Sequence, residues 1–333
     1  MPKADDQDRR GRSEPFHDGE TAVHERYGIR ERIDQVGRAV IRDAMPMQHR
    51  QFFAAQPMLF VGSMDGRRRP WASVLAGPPG FVVADNATTL RVNALPDDDD
   101  PLSSHLAVAA PLGLLGIEFS TRRRNRLNGT VEALDAAGFT IHVDQSFGNC
   151  PQYIQARDSS WAGYRPSESR AEAFSGRLPE AALAIVRRAD TLFLASAAAG
   201  AKGSAGAHGV DVSHRGGKPG FVRVTTGANG DVLTLPDFRG NFLFNTIGNL
   251  VSNPVAGMLV VDFASGDLLQ LTCTTEIVWD GAEVEAFAGA QRIVRFTLDQ
   301  GIHRRAVLAA KWSEPEFASQ LEATGDWDEN ASR

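Results

Sequence analysis

Three neighbouring stretches of the second half of the chain gather side chains that suit an anionic ligand. Ser213-His214-Arg215-Gly216-Gly217-Lys218-Pro219-Gly220 combines a hydroxyl, an imidazole and two cations with three glycines. Pro236-Asp237-Phe238-Arg239-Gly240-Asn241 lies about 20 residues on, followed by Phe244-Asn245-Thr246-Ile247-Gly248-Asn249-Leu250. Arginine offers a planar fork of donors and lysine a compact charge. Glycine lets backbone N–H groups approach a phosphate. The same residues would also serve a hairpin with a solvated basic tip and a polar turn, and the local sequence leaves both readings open.

The first half has its own basic stretch, Thr121-Arg122-Arg123-Arg124-Asn125-Arg126-Leu127-Asn128-Gly129-Thr130. In a regular strand Arg122, Arg124 and Arg126 share one face and Arg123 points the other way. They either face an anion or decorate a hairpin turn closed by Asn128-Gly129. The corresponding stretch of the second half, Ala264-Ser265-Gly266-Asp267-Leu268-Leu269, has no arginine, which favours one specialised site over two equal ones. A third cluster, Phe147-Gly148-Asn149-Cys150-Pro151-Gln152-Tyr153-Ile154-Gln155, has no base beside Cys150 to make it a nucleophile. Asn149 reads as the cap of a helix beginning at Pro151, whose open N-terminus would also attract an anion.

Other chemistries are disfavoured. The histidines are scattered, with no His-x-x-x-His pair, so no metal site is expected. Dinucleotide-type and Walker-type glycine loops are missing, and Gly200 to Gly206 reads as a hairpin tip. Asp97-Asp98-Asp99-Asp100 reads as a solvated acidic loop. The 333 residues carry a net charge of −6, which argues against nucleic acid as a partner. No apolar run is long enough for a membrane helix, and the N-terminus lacks an apolar signal region. Two cysteines, Cys150 and Cys273, form no disulfide framework, and a cytoplasmic location is expected.

The elements that position these residues are short strands, and they come twice. Leu59-Phe60-Val61-Gly62-Ser63, Pro70-Trp71-Ala72-Ser73 and Gly80-Phe81-Val82 are echoed by Leu192-Phe193-Leu194-Ala195-Ser196, Gly209-Val210-Asp211-Val212-Ser213 and Gly220-Phe221-Val222. Thr89 to Val92 is matched by Val232 to Leu235, and the run from Pro111 by the run from Pro254. Helices are expected around Val23 to Ile41, ended by Pro46, then over 48–55, and over 179–190 before the second unit. Strands broken by Gly, Pro, Asp and Asn fill the rest, which predicts small antiparallel barrels rather than a doubly wound sheet. The expected organisation is a disordered tail (1–15), helices with a first barrel (16–155), a connection (156–180), a second barrel (181–310), and a C-terminal helix and tail (311–333). Two like units in one chain can pack as a homodimer does, with a pocket at the seam.

With those residues in view, the chain resembles the pyridoxamine 5′-phosphate oxidase-related family, the FMN-binding split barrels, in the subgroup with two barrels per chain. The likeness is carried by Phe16-His17-Asp18-Gly19-Glu20, the arginine stretch, Gly148-Asn149-Cys150-Pro151-Gln152-Tyr153-Ile154, and the Ser213 and Pro236 clusters. It implies a mainly β fold with flanking helices (α+β), two tandem antiparallel split β-barrels forming an intrachain pseudo-dimer. It implies FMN at the interface, contacted by Ser213, His214, Arg215, Lys218, Arg239, Asn241, Asn245, Thr246, Asn249 and Leu250, with Arg122, Arg124 and Asn149 from the other barrel. The activity implied is a flavin-dependent oxidoreductase acting on a small molecule, with NAD(P)H or a reductase as electron donor. No catalytic group is assigned, His214 being the best-placed acid–base candidate. The alternatives are a non-catalytic flavin- or haem-binding module and a deazaflavin-dependent reductase. The chain is expected to act as a monomeric pseudo-dimer or as a homodimer.

Overall fold

The computed structural model describes residues 14–164, 171–201 and 206–327. Most of the expected N-terminal tail and the centre of the glycine-rich tip lie outside them. Three helices lead in: α1 (Asp18–Arg26), α2 (Arg30–Val40) and α3 (Met47–Ala54). His17 and Glu20 close a reciprocal capping box at the start of α1. The first unit contains β1 (Met58–Met64), β2 (Pro70–Ala76), β3 (Val82–Val83), β4 (Thr89–Val92), β5 (Pro111–Glu118), β6 (Arg123–Asp135) and β7 (Gly138–Asn149). The connecting region holds β8 (Ser159–Tyr164), β9 (Ala171–Ser175) and α4 (Glu180–Arg188). The second unit contains β10 (Thr191–Ala197), β11 (Val210–Gly216), β12 (Arg223–Gly227), β13 (Gly230–Phe238), α5 (Asn245–Ser252), β14 (Val255–Val261), β15 (Leu268–Val278), α6 (Ala282–Glu285) and β16 (Ala290–Arg304), before β17 (Leu308–Trp312).

The duplication is exact in topology. The first sheet runs β2-β1-β5-β6-β7-β4-β3 and the second β11-β10-β14-β15-β16-β13-β12, antiparallel throughout, with β9 added beside β16. The chain is thus a tandem split-barrel α+β fold in which neither sheet closes on itself. Each unit has its own apolar core, around Leu59, Leu114 and Ile141 in the first and Leu192, Met258 and Phe296 in the second. A third cluster, including Phe60, Leu115, Phe193, Val212 and Leu259, belongs to both units and forms the seam.

Glycine makes the seam close. A Cβ on Gly113 of β5 would stand 2.4 Å from the Val210 carbonyl oxygen at the start of β11. One on Gly257 of β14 would stand 2.6 Å from the Pro70 oxygen at the start of β2. The two positions are equivalent in the repeat, so each unit presses the same bare strand on the same edge of the other, as an isologous dimer does.

Three expectations are corrected. Residues 151–155 form no helix: Tyr153 takes a left-handed φ of 62°, and Asn149 ends β7 instead of capping a helix. The connection is not merely a polar linker, since β8 pairs with β17 and β9 with β16. The segment after Trp312 is no helix among the described residues; it holds only a 3-10 turn, Ser319–Ala323. Among the described residues no helix is long and apolar enough to cross a membrane.

Candidate functional site

A cleft opens where the β6–β7 end of the first unit meets β11, β13 and the start of α5. It encloses about 110 Å³. Arg124, Arg126 and Asn149 reach it from the first unit; Ser213, His214, Arg215, Asn241, Asn245 and Thr246 reach it from the second. Alternation along β6 sends Arg124 and Arg126 into the cleft and leaves Arg123 exposed over the Phe52 ring.

The cleft is electropositive. Four guanidiniums line it (Arg124, Arg126, Arg215, Arg292) against one lining carboxylate, Asp237. Asp237 is shared: it pairs with Arg292 and lies 3.3 Å from Arg215 Nε. Arg126 pairs below the cleft with Asp211. Arg124 donates from Nε to the Cys150 carbonyl oxygen at 2.7 Å, and among the described residues no carboxylate pairs with it. Burial, then the neighbouring Arg215 charge, pushes Arg124 down to about 9, so it is still charged at neutral pH. Burial lowers Arg215 too, with Asp237 opposing.

His214 is 3% exposed, and among the described residues neither of its ring nitrogens has a partner. Burial first, then Arg124, Arg215 and Arg157, hold it well below the usual imidazole range, so it is neutral. Arg126 Nε, Gln152 Oε1 and Arg292 Nε are also buried and unpartnered. These are five of the thirteen such side-chain atoms among the described residues, all on the cleft lining. Buried polar atoms are rarely left unmade, so their concentration here marks a place built for a polar ligand.

The rim is aromatic. Tyr153 stacks on Phe238 with centroids 5.0 Å apart. Tyr153, Phe242 and Phe244 have φ values of 62°, 63° and 56°, a left-handed conformation that bulky side chains rarely adopt. Such strain gathers at binding sites, where the surrounding structure holds it in place. Asn241 fastens the rim, donating from Nδ2 to Asn149 Oδ1 at 2.7 Å. Thr246 donates to Ser213 Oγ at 3.1 Å.

Five residues named from the sequence lie elsewhere. Arg122 sits in the β5–β6 turn with φ 58°, outside β6, so it leaves the arginine face and holds the Ile154 oxygen and Glu316. Lys218 donates to the Thr324 oxygen at 2.8 Å. Arg239 lies over the Phe242 ring, outside the lining. Asn249 is buried beneath the cleft, bonded to Asp211, Ser196 and His17. Leu250 belongs to the second core. Conversely, Asp211, Gln152, Tyr153, Phe238 and Arg292 were not singled out as site residues. Only the Asp237–Arg292 register of β13 against β16 brings Arg292 in, and a single sequence does not display that pairing.

The repeat places an equivalent position on the other side of the seam. The ladder Phe60–Leu115–Arg126–Phe147 corresponds to Phe193–Leu259–Gln270–Ile302. Two residues further, Arg124 and Asn149 correspond to Leu268 and Arg304. Arg304 is 1% exposed and is clamped by Asp97, Asp99 and Asp100. The acidic loop is therefore no solvated loop but the counter-charge of a buried arginine. Asp100, pushed upward by burial against the pull of Arg304, also accepts from Ser73, the counterpart of Ser213. One side of the seam has surplus cations; on the other a single arginine faces three carboxylates. Among the described residues no group of His, Cys, Asp or Glu is arranged to hold a metal ion.

No family model matches the chain. No curated protein matches it either. Among solved structures, HupZ from Group A Streptococcus aligns with 37% of this chain and 90% of its own, at 12% identity and a TM-score of 0.28. HutZ, described as the heme storage protein from Vibrio cholerae, aligns with 39% of this chain and 95% of its own, at 15% identity and a TM-score of 0.26. Likenesses this remote carry no function to the chain.

Proposed function

We propose that the cleft binds the anionic head of a planar cofactor, FMN in the first instance, in a flavin-dependent protein of the split-barrel type. The observation that carries this is the surplus of arginine over carboxylate on a lining that also holds unpartnered buried donors. Arg124 and Arg215 would hold the phosphate, with the hydroxyls of Ser213 and Thr246 and the first N–H groups of α5 beside them. The enclosed 110 Å³ is below the ~300–1,000 Å³ of pockets that engulf a drug-sized ligand. It suits a phosphate head, with the ring lying against Tyr153 and Phe238 at the rim. A bound flavin supplies hydride chemistry, and the protein supplies position and electrostatics. The substrate and an electron donor such as NAD(P)H or a reductase belong to this proposal.

A second reading, haem binding without catalysis, is favoured by one observation: His214 is a buried neutral imidazole with both nitrogens unpartnered, the state an iron ligand needs. Arg124 and Arg215 would then face propionates. Titration of the purified chain with FMN and with hemin separates the readings. Flavin absorbance that co-purifies and is lost in Arg124→Gln supports the first. A Soret band lost in His214→Ala supports the second. Binding of neither overturns both, and turnover with NADH or NADPH then divides an enzyme from a binding module.

A further inference from the structure

Beneath the cleft lies a sealed polar layer that shares two residues with its lining, Arg126 and Asn245. It contains two carboxyls, Glu20 of α1 and Asp211 of β11, both buried. Helices α1 and α5 cross there at bare backbone. A Cβ on Gly19 would stand 2.2 Å from the Gly248 oxygen, and one on Gly248 would stand 2.4 Å from Glu20 Cγ. Glu20 is thus enclosed by a helix crossing.

The charges in this layer can be counted from its hydrogen bonds. His17 Nδ1 accepts the Gly19 N–H at 3.0 Å, so that nitrogen carries no proton. Its Nε2 lies 2.8 Å from Asn249 Oδ1, and Asn249 Nδ2 donates to Asp211 at 2.7 Å and to Ser196 at 3.0 Å. His17 is therefore a neutral donor. Arg126 is the layer's cation, and Asp211 takes it, together with the amides of Asn128 and Asn249. Among the described residues Glu20 receives only uncharged donors, the backbone N–H of His17 at 3.0 Å and Asn245 Nδ2 at 2.5 Å. The groups facing Glu20 are His17 in its own capping turn, Asp211 of β11, Arg126 of β6 and Asn245 of α5, a helix with no ionisable side chain. Asp18 and His208 bear on the layer through His17.

Resting on the reading of the cleft as an anion site, we propose that the anion is bound together with a proton held on Glu20, the two linked through Asn245 and Arg126. With Glu20 neutral, one cation balances one carboxylate and the layer carries no net charge. When Glu20 ionises, a buried negative charge stands one hydrogen bond behind Asn245 and competes for Arg126, so the anion in the cleft is repelled. Burial, and then Asp211, push the Glu20 carboxyl up to about 8, which places the change just above neutrality.

Sulfate is the probe, because its charge is constant over the range tested. Calorimetric titration of wild type and Glu20→Gln at about pH 6.5 and about pH 8.5, which brackets Glu20 and stays below the pH at which Arg124 loses its charge, is expected to show wild-type affinity falling severalfold and the variant falling far less. An equal fall in both proteins, or none in wild type, overturns the linkage. If sulfate binds at neither pH, the anion reading of the cleft fails and the linkage with it. The proton is tested separately on apo protein. Relative to Glu20→Gln, wild type should lose stability as pH rises from the ordinary carboxyl range to about 8 and then level off, because only the folded state holds the proton there. Parallel curves overturn the protonated Glu20. Should the variant not fold, the infrared band of a buried neutral carboxyl in wild type at neutral pH must fade as pH passes about 8, and a band that does not fade overturns the proposal.

Discussion

Phe60 of β1 and Phe193 of β10 stack face to face, with ring centroids 3.6 Å apart and planes 15° from parallel. They are the same residue of the repeat. Phe60 lies opposite Val74 and Leu115, and Phe193 opposite His214 and Leu259. A residue that touches its own counterpart marks the pseudo-twofold axis. Around that axis the apolar seam is common to both units, and the two flanking positions have diverged: His214 faces the open cleft, and its counterpart Val74 packs in the seam.

Phe60→Ala or Phe193→Ala should each cost about 3–5 kcal/mol of stability by leaving a cavity at the centre of the seam. The double variant should cost less than the sum, because each single change already removes the shared contact. Denaturant unfolding of the four proteins checks this, and strict additivity would show that the rings do not depend on each other.

Arg304→Gln should destabilise the chain by about 3–5 kcal/mol, as expected when one partner of a buried ion cluster is removed. It leaves Asp97, Asp99 and Asp100 facing one another without their cation. Burial already pushes the Asp100 carboxyl upward, so on acidification Asp100 takes up a proton readily and the deficit should shrink. Melting temperatures of wild type and variant across the acid range test both parts.

Part of this was legible in the sequence and part was not, for a physical reason. The echo of Leu59-Phe60-Val61 in Leu192-Phe193-Leu194 predicted two units of one strand order, because strands are local and their hydrophobic pattern is printed along the chain. The run Thr89 to Val92 coincides with β4, and the run Leu59 to Ser63 falls one residue short of β1 at each end. The pairing of the acidic loop is not legible in the sequence, because Asp99 and Arg304 stand 205 residues apart and meet only when β16 is laid beside β15. Pro151 after Asn149 looked like a helix start, yet the chain turns at Tyr153 under tertiary packing against Phe238. Arg122 was grouped with Arg124 by spacing, and a single left-handed residue broke the alternation. Of the site, the basic segments were visible; the buried carboxyls that decide which arginines remain unpaired were not.

Arg122 and Arg124 now make opposite predictions. Arg122 pairs at the surface with Glu316, a contact worth at most about 1 kcal/mol, so Arg122→Ala should barely alter ligand affinity. Arg124 has no carboxylate partner among the described residues and is pressed on by Arg215. Arg124→Gln relieves that repulsion, so the apo protein should melt at the same temperature or higher. Against a phosphate, the lost charge-assisted hydrogen bond should weaken binding by about 1.5–3 kcal/mol, roughly 10- to 150-fold. FMN titration paired with apo melting curves reads both quantities on the same samples. A drop in apo stability with affinity unchanged would mean that Arg124 serves the fold through the Cys150 carbonyl and not the ligand.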